Sequence, residues 1–230
     1  MSREYTAEIN EIIQRLPGVT RPNRIILLGF YIICIFAPLL NGCLSDSDFV
    51  IPGIDSYNQE IAEGWIRFDS GDYSGAIGNF RTALEIDPLR AGAYVGLGWC
   101  YAKTDNLDDS LANLDIAITK DSALPDAYAA KAFVKLADNS HENAISAAEM
   151  AISLGGEDYM FSQIPEVRTS NLRLLIAECY YTIGRYEDAQ SQIDIIKPDN
   201  KLDKNSCNYK RDLIAEIENL KSDVKVIYND

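Results

Sequence analysis

Groups that perform acid–base or nucleophilic chemistry are scarce in this chain of 230 residues. The single histidine is His141, so any Ser/His/Asp or Cys/His arrangement would depend on that one imidazole. No glycine-rich loop of the kind that binds phosphate is present. The clustered carboxylates do not follow the spacing of a calcium-binding loop and are typical of turns and helix starts: Asp46, Asp48, Asp105, Asp108 and Asp109. We therefore expect a protein that has no catalytic residues, no metal site and no cofactor.

The composition indicates a folded and acidic protein. Hydrophobic residues make up 47% of the chain, and 21 Lys and Arg stand against 35 Asp and Glu, a net charge of −14. Residues 1–42 hold four of the basic and three of the acidic residues, so residues 43–230 hold 17 and 32, a net charge of −15. Such an acidic surface offers no basic face for phosphate contacts, so we do not expect nucleic-acid binding.

The N-terminal region has the order of an export signal. Arg21 and Arg24 precede an uncharged apolar stretch that begins at Ile25 and ends in Leu40-Asn41-Gly42-Cys43. These last four residues resemble a bacterial lipobox, in which the cysteine is lipidated and becomes the new N-terminus. The resemblance implies cleavage after Gly42, a thioether-linked diacylglycerol on Cys43, and attachment to a membrane through that lipid.

Two alternatives to the lipid anchor remain open. The uncharged stretch from Ile25 to Ser45 is 21 residues long, enough to cross a bilayer as an uncleaved anchor, and it could also form a buried core helix. With either kind of anchor, Arg21 and Arg24 stay cytoplasmic and the acidic part is exported. We expect residues 1–42 to be a signal peptide or membrane anchor and 43–56 a linker. The expected location is the bacterial cell envelope, at the outer membrane or periplasmic side if the source is Gram-negative.

Small residues recur at intervals of 34 through the middle of the chain. Three series share this period: Gly64, Gly98 and Ala132; Ala76, Ser110 and Ala144; and Ala83, Ala117 and Ala151. Each copy contains apolar residues three and four apart and one turn-forming cluster, which predicts two helices per copy. Helix pairs of this kind bury their apolar stripes by stacking, so we expect an all-α solenoid with a concave inner face.

The repeat resembles the tetratricopeptide repeat. Residues 71–88 match the second half of that motif, Tyr94 to Tyr101 match its first half, and a fourth copy at 177–189 is displaced by 11 residues. The resemblance implies a tetratricopeptide domain over 57–198, with units near 57–90, 91–124, 125–156 and 170–198 and an insertion near 157–169. An extra amphipathic helix over 206–227 is expected to cap the last unit.

In solenoids of this family, the first helix of each pair lines the concave face. The residues expected there are apolar and aromatic: Ile61, Trp65, Phe68, Val95, Trp99, Phe133, Leu136, Leu174 and Tyr181. One interpretation is a groove in which these side chains bind the apolar anchors of a peptide. The other is that the protein covers them itself, for example by folding its C-terminal helix across the groove.

The insertion carries three large apolar residues, Tyr159, Phe161 and Ile164, which either contact a partner or tuck against the third and fourth units. Together, the anchor and the repeats predict a membrane-anchored, non-catalytic scaffold that binds a protein or peptide partner in the cell envelope. The alternative is a permanent structural subunit of an envelope assembly, such as outer-membrane protein, pilus or cell-wall machinery, with its groove self-occluded.

Overall fold

A computed structural model describes residues 54–222, and within that range the regular secondary structure is helical. The predicted all-α solenoid with an extra C-terminal helix is confirmed. Its nine described helices are α1 (Ile54–Asp69), α2 (Tyr73–Ile86), α3 (Ala91–Lys103), α4 (Leu107–Lys120), α5 (Pro125–Ala137), α6 (His141–Gly155), α7 (Thr169–Thr182), α8 (Tyr186–Ile196) and α9 (Tyr209–Ser222).

The predicted export signal or anchor and the predicted lipidation site at Cys43 lie outside the described residues. Among the helices within residues 54–222, none combines the length and the apolar character that a bilayer crossing requires.

The first eight helices form four pairs, and each pair is joined by a tight turn. The central turn residue has a positive φ in every pair: 82° at Gly71, 60° at Asp105, 56° at Asn139 and 84° at Gly184. The next residue's N–H then donates to the carbonyl five residues earlier, as from Asp72 to Arg67 at 2.9 Å. This arrangement is a Schellman cap, which ends the first helix and reverses the chain.

The small residues of the 34-residue series allow the helices to approach each other closely. The Phe80 ring lies between α1 and α3, and a methyl group added at Gly64 or Gly96 would lie 2.7 Å or 2.5 Å from it. In the second unit, a methyl group at Gly98 would lie 2.6 Å from the Leu114 side chain. Phe80 and Leu114 are both fully buried, so each of these two units places one large side chain against a glycine of its own first helix, and Phe80 also lies against Gly96 of the next unit.

Helix α9 packs against α7 and α8 at the end of the solenoid. Its buried face contains Leu213 and Ile217, and the Tyr209 hydroxyl donates to the carbonyl of Tyr186 at 3.1 Å. The Lys221 ammonium also pairs with the Glu178 carboxylate at 2.8 Å. Helix α9 therefore covers the apolar end of the last pair. The alternative in which the C-terminal helix crosses the concave groove is wrong, because α9 is held on α7 and α8.

Candidate functional site

The concave face contains the aromatic row expected from the sequence, but most of that row is buried by the protein. Six of the nine predicted groove residues are less than 9% exposed: Trp65, Phe68, Val95, Trp99, Phe133 and Leu174. The other three are half-buried: Ile61, Leu136 and Tyr181. Neighbouring members touch, as Trp65 does with Phe68 at a ring-centroid distance of 5.3 Å and Trp99 with Phe133 at 5.9 Å. In this structure, these side chains pack as core.

Part of this cover is provided by residues 157–168, which connect α6 to α7 and are called the strap below. Tyr159, Phe161 and Ile164 are 8%, 4% and 7% exposed, so all three face the protein interior. The Phe161 ring meets the Trp65 ring edge-on, with centroids 5.5 Å apart and planes at 80°. The strap therefore packs against the protein, and it contacts the first unit through Phe161 as well as the third unit through Tyr159.

The strap is an ordered loop with its own hydrogen bonds. The Phe161 N–H donates to the carbonyl of Val167 at 2.8 Å, and the Val167 N–H donates to the carbonyl of Ile164 at 2.8 Å. At its base, the Thr169 hydroxyl donates to the carbonyl of Gly156 at 2.7 Å. These backbone groups of the strap thus have partners, as an interior loop requires. Its position is therefore set by packing and hydrogen bonds together.

One strap residue is tied to the third unit. The Tyr159 hydroxyl donates to Oδ1 of Asp126, in the first turn of α5, at 2.8 Å. Burial raises the pKa of Asp126, and the hydrogen bond from Tyr159 only partly opposes that shift. Burial and the nearby Asp126 carboxylate raise the pKa of Tyr159, so its phenol stays protonated and acts as the donor.

Beside the strap, an open cleft of about 530 Å³ remains on the concave face. Three consecutive units and the strap contribute to it, and its lining mixes apolar, polar and charged groups. The lining residues are Tyr57, Asn58, Ile61, Trp65, Leu89, Arg90, Ala91, Gly92, Val95, Lys120, Asp121, Leu124, Asp126, Phe161, Ser162 and Gln163. Of the predicted groove residues, only Ile61, Trp65 and Val95 belong to this cleft.

The charged groups of the cleft differ in depth. Arg90, Lys120 and Asp121 are exposed, whereas Asp126 is half-buried. The Arg90 guanidinium lies 4.1 Å from the centroid of the Tyr57 ring and donates to the side chain of Asn58 at 3.2 Å. The deepest charge in the cleft is therefore the Asp126 carboxylate.

Sequence reasoning missed the polar part of this cleft. Arg90 and Leu124 precede α3 and α5 and are 34 residues apart, so the repeat period itself could have indicated that these loops share one edge of the concave face. Asp126 lies two residues after Leu124, at the same edge of the concave face in the third unit. No comparable signal exists for Ser162 and Gln163, because the strap is not part of the repeat.

A second, smaller cavity of about 60 Å³ lies among Trp99, Lys103, Leu107, Phe133 and Val134. Within the described residues, the indole N–H of Trp99 has no hydrogen-bond partner. Burial also lowers the pKa of Lys103. This cavity is much smaller than the cleft of about 530 Å³, so the cleft is the better candidate site for a peptide.

The reactive side chains of the described region include the buried Cys100 and Cys179 and the single histidine, His141. Residues 54–222 contain no group of three His, Cys, Asp or Glu side chains placed to hold a metal ion. Burial raises the pKa of the Cys100 and Cys179 thiols to about 12, so both remain protonated and poor nucleophiles. His141 is the first residue of α6 and its Nδ1 has no partner among the described residues.

The described helices form a solenoid of helix pairs, and a loop partly covers its concave cleft. Residues 67–132 match the family model described as tetratricopeptide repeat. The solved structure of MamA protein is similar with a TM-score of 0.50 and 20% identity, over 78% of this chain and 81% of that one.

A tetratricopeptide repeat protein from Parabacteroides merdae ATCC 43184 is similar with a TM-score of 0.53 and 17% identity, over 74% of this chain and 61% of that one. No curated protein matches the sequence significantly. At these identities the likeness concerns the fold alone. Residues 67–132 therefore resemble tetratricopeptide repeats in sequence, and they lie within a helical solenoid.

Proposed function

We propose that this protein is a non-catalytic scaffold that binds an extended segment of a partner protein in its concave cleft. The observation that supports this is the cleft itself, whose volume of about 530 Å³ lies in the usual range for binding sites, roughly 300–1,000 Å³. Ile61, Val95 and Leu124 provide apolar surface, while Asn58 and Gln163 provide hydrogen-bonding groups. Such a combination suits a peptide, which offers side chains and backbone amides together.

A second candidate function is supported by the strap. Phe161 packs on Trp65, which is only 6% exposed, so this tryptophan offers little surface to a ligand. A permanent structural subunit of a larger assembly fits this self-occluded groove. The two candidate functions differ in how readily the protein and its partner dissociate. A recruited partner dissociates on dilution, whereas a permanent subunit elutes with its complex in a fixed ratio during size-exclusion chromatography.

The proposal also includes export and attachment to a membrane through Cys43. Its support is the order of residues in the N-terminal region: Arg21 and Arg24, an apolar stretch, and Leu40-Asn41-Gly42-Cys43. Only 13 residues, Leu44 to Ser56, separate Cys43 from Tyr57, which would keep binding close to the membrane. Metabolic labelling with a palmitate analogue tests this directly. We expect label on the parent protein and none on Cys43→Ala, and an unlabelled parent would contradict the lipid anchor.

Site-specific photocrosslinking tests the cleft. A photoreactive residue at Asn58 or Gln163 faces the cleft, and one at the exposed Thr82 on α2 is the matched control on a second helix. We expect the same protein to crosslink from both cleft positions and not from Thr82, and to contact them through one segment identified by mass spectrometry. Equal capture from all three positions would contradict recognition by the cleft.

A further inference from the structure

We propose that the cleft selects a partner segment by a lysine or arginine side chain, which binds the Asp126 carboxylate beside apolar side chains that contact Ile61 and Val95. This inference rests on the proposed function and names the chemistry of the ligand. The occupant is therefore a basic and apolar stretch of polypeptide, in contrast to an acidic or C-terminal segment.

The position of Asp126 is the first reason. Its carboxylate is half-buried at the N-terminal end of α5, and the Tyr159 hydroxyl binds Oδ1 from the strap side. Among residues 54–222, Tyr159 is the one side-chain hydrogen-bond partner of this carboxylate, and no Lys or Arg forms an ion pair with it. The first turn of a helix favours an acidic residue, while burial raises the pKa of Asp126 more than the hydrogen bond from Tyr159 lowers it.

A carboxylate in this situation is incompletely compensated. Removing a charge from water costs free energy unless a counter-charge or several hydrogen bonds replace the lost hydration. One phenol supplies one hydrogen bond, so an ammonium or guanidinium group from a ligand would supply the missing charge-assisted contact. Tyr159 holds the carboxylate in place before the ligand arrives, which lowers the ordering that binding requires.

The other charges of the cleft do not compete for this role. The Asp121 carboxylate is exposed and accepts from the Ala123 N–H at 3.0 Å. Arg90 is exposed and held by Tyr57 and Asn58. Lys120 is also exposed, so charges at this rim are screened by water and salt. The net charge of −15 over residues 43–230 adds a long-range attraction for a basic segment.

The test uses three pools of randomised nonapeptides that carry Lys, Gln or Glu at the centre with leucine on either side. Binders to the full-length protein in detergent are selected from each pool, and their dissociation constants are measured by fluorescence anisotropy. We expect the Lys peptides to bind at least about tenfold more tightly than the Gln peptides, and the Glu peptides to bind most weakly.

Two variants assign the preference to one carboxylate. Asp126→Asn keeps the size and the acceptor for Tyr159 but removes the charge, and it should abolish the difference between Lys and Gln peptides. Asp108→Asn is the matched control, because Asp108 is also a first-turn acid, exposed on α4 and outside the cleft. Circular dichroism of each variant verifies that the helices are retained.

Every result is decisive. Equal affinity of Lys and Gln peptides for the parent protein, or tighter binding of Glu peptides, overturns the inference while leaving the peptide-binding function standing. A Lys preference that persists in Asp126→Asn overturns the role of Asp126. If no pool yields a binder to the parent protein, peptide recognition by the cleft is itself refuted. The comparison among peptides on the parent protein does not depend on whether a variant folds.

Discussion

Replacing Phe161 by Ala is expected to open the contact between the strap and the first unit. Phe161 is 4% exposed, and its ring packs edge-on against Trp65 at 5.5 Å. A buried Phe→Ala change costs about 3–5 kcal/mol, and that range includes the aromatic contact. The ring borders an open cleft, where water can enter the vacated space, so the lower end is appropriate. We expect the free energy of unfolding to fall by about 3 kcal/mol.

Two measurements follow this change. Urea unfolding monitored by far-ultraviolet circular dichroism gives the free energy of unfolding. Acrylamide quenching of tryptophan fluorescence then reports whether Trp65 becomes accessible. Because the chain contains two tryptophans, the experiment is done in a Trp99→Phe background. That background removes no hydrogen bond within the described residues, since the Trp99 indole N–H has no partner there.

Met160→Ala is the matched control for this prediction. Met160 is the preceding strap residue but is 54% exposed, so its truncation should change the stability by less than about 0.5 kcal/mol and leave quenching unchanged. If Phe161→Ala costs less than about 1 kcal/mol and Trp65 stays protected, the strap does not cover the first unit as described. Greater Trp65 quenching in a folded variant would show that the cover is removable.

Three further predictions concern packing, turns and pH. Gly96→Ala places a methyl group against the Phe80 ring and should lower the free energy of unfolding by about 1–3 kcal/mol in the same urea titration. Its control is Gly78→Ala on α2, where the methyl group enters open space and should raise the free energy of unfolding by about 0.5–1 kcal/mol. Asp105→Gly relieves a positive φ of 60° and should raise the free energy of unfolding by about 0.5–1 kcal/mol, and an unchanged midpoint would count against the left-handed turn. Since the pKa of Asp126 is raised above its ordinary value of 3.8, its ionisation opposes folding. The parent protein should therefore lose stability relative to Asp126→Asn as the pH rises from the ordinary pKa of Asp126 through the raised one. A difference in thermal midpoints that stays constant over this pH range would refute the prediction.

The periodic part of the structure was predictable because its information is local and repeated. Gly64, Gly98 and Ala132 mark the close approach within each unit, and the turn clusters around Gly71, Asp105 and Asn139 mark where each first helix ends. Each unit packs mainly on its neighbours, so a pattern repeated every 34 residues is sufficient to predict stacked helix pairs.

The candidate site was predictable only in part. The aromatic row of Trp65, Trp99 and Phe133 follows the period and was expected on the concave face, but a hydrophobic residue on that face has the same sequence pattern whether a ligand or the protein covers it. The sequence pattern does not indicate that Asp126, the charge that distinguishes the remaining cleft, is half-buried. Only the tertiary structure places the Tyr159 hydroxyl of the strap against this carboxylate.

The sequence by itself determined the fold class, because a 34-residue period is sufficient to predict it. The composition likewise determined the acidic character of residues 43–230. The tertiary structure decided which surface remains open. The contact of Phe161 with Trp65 joins residues 96 positions apart through a segment that has no period, and the packing of α9 on α7 and α8 is likewise non-repetitive. Such contacts depend on how an irregular loop fits the shape made by the repeats, and no local pattern encodes that fit.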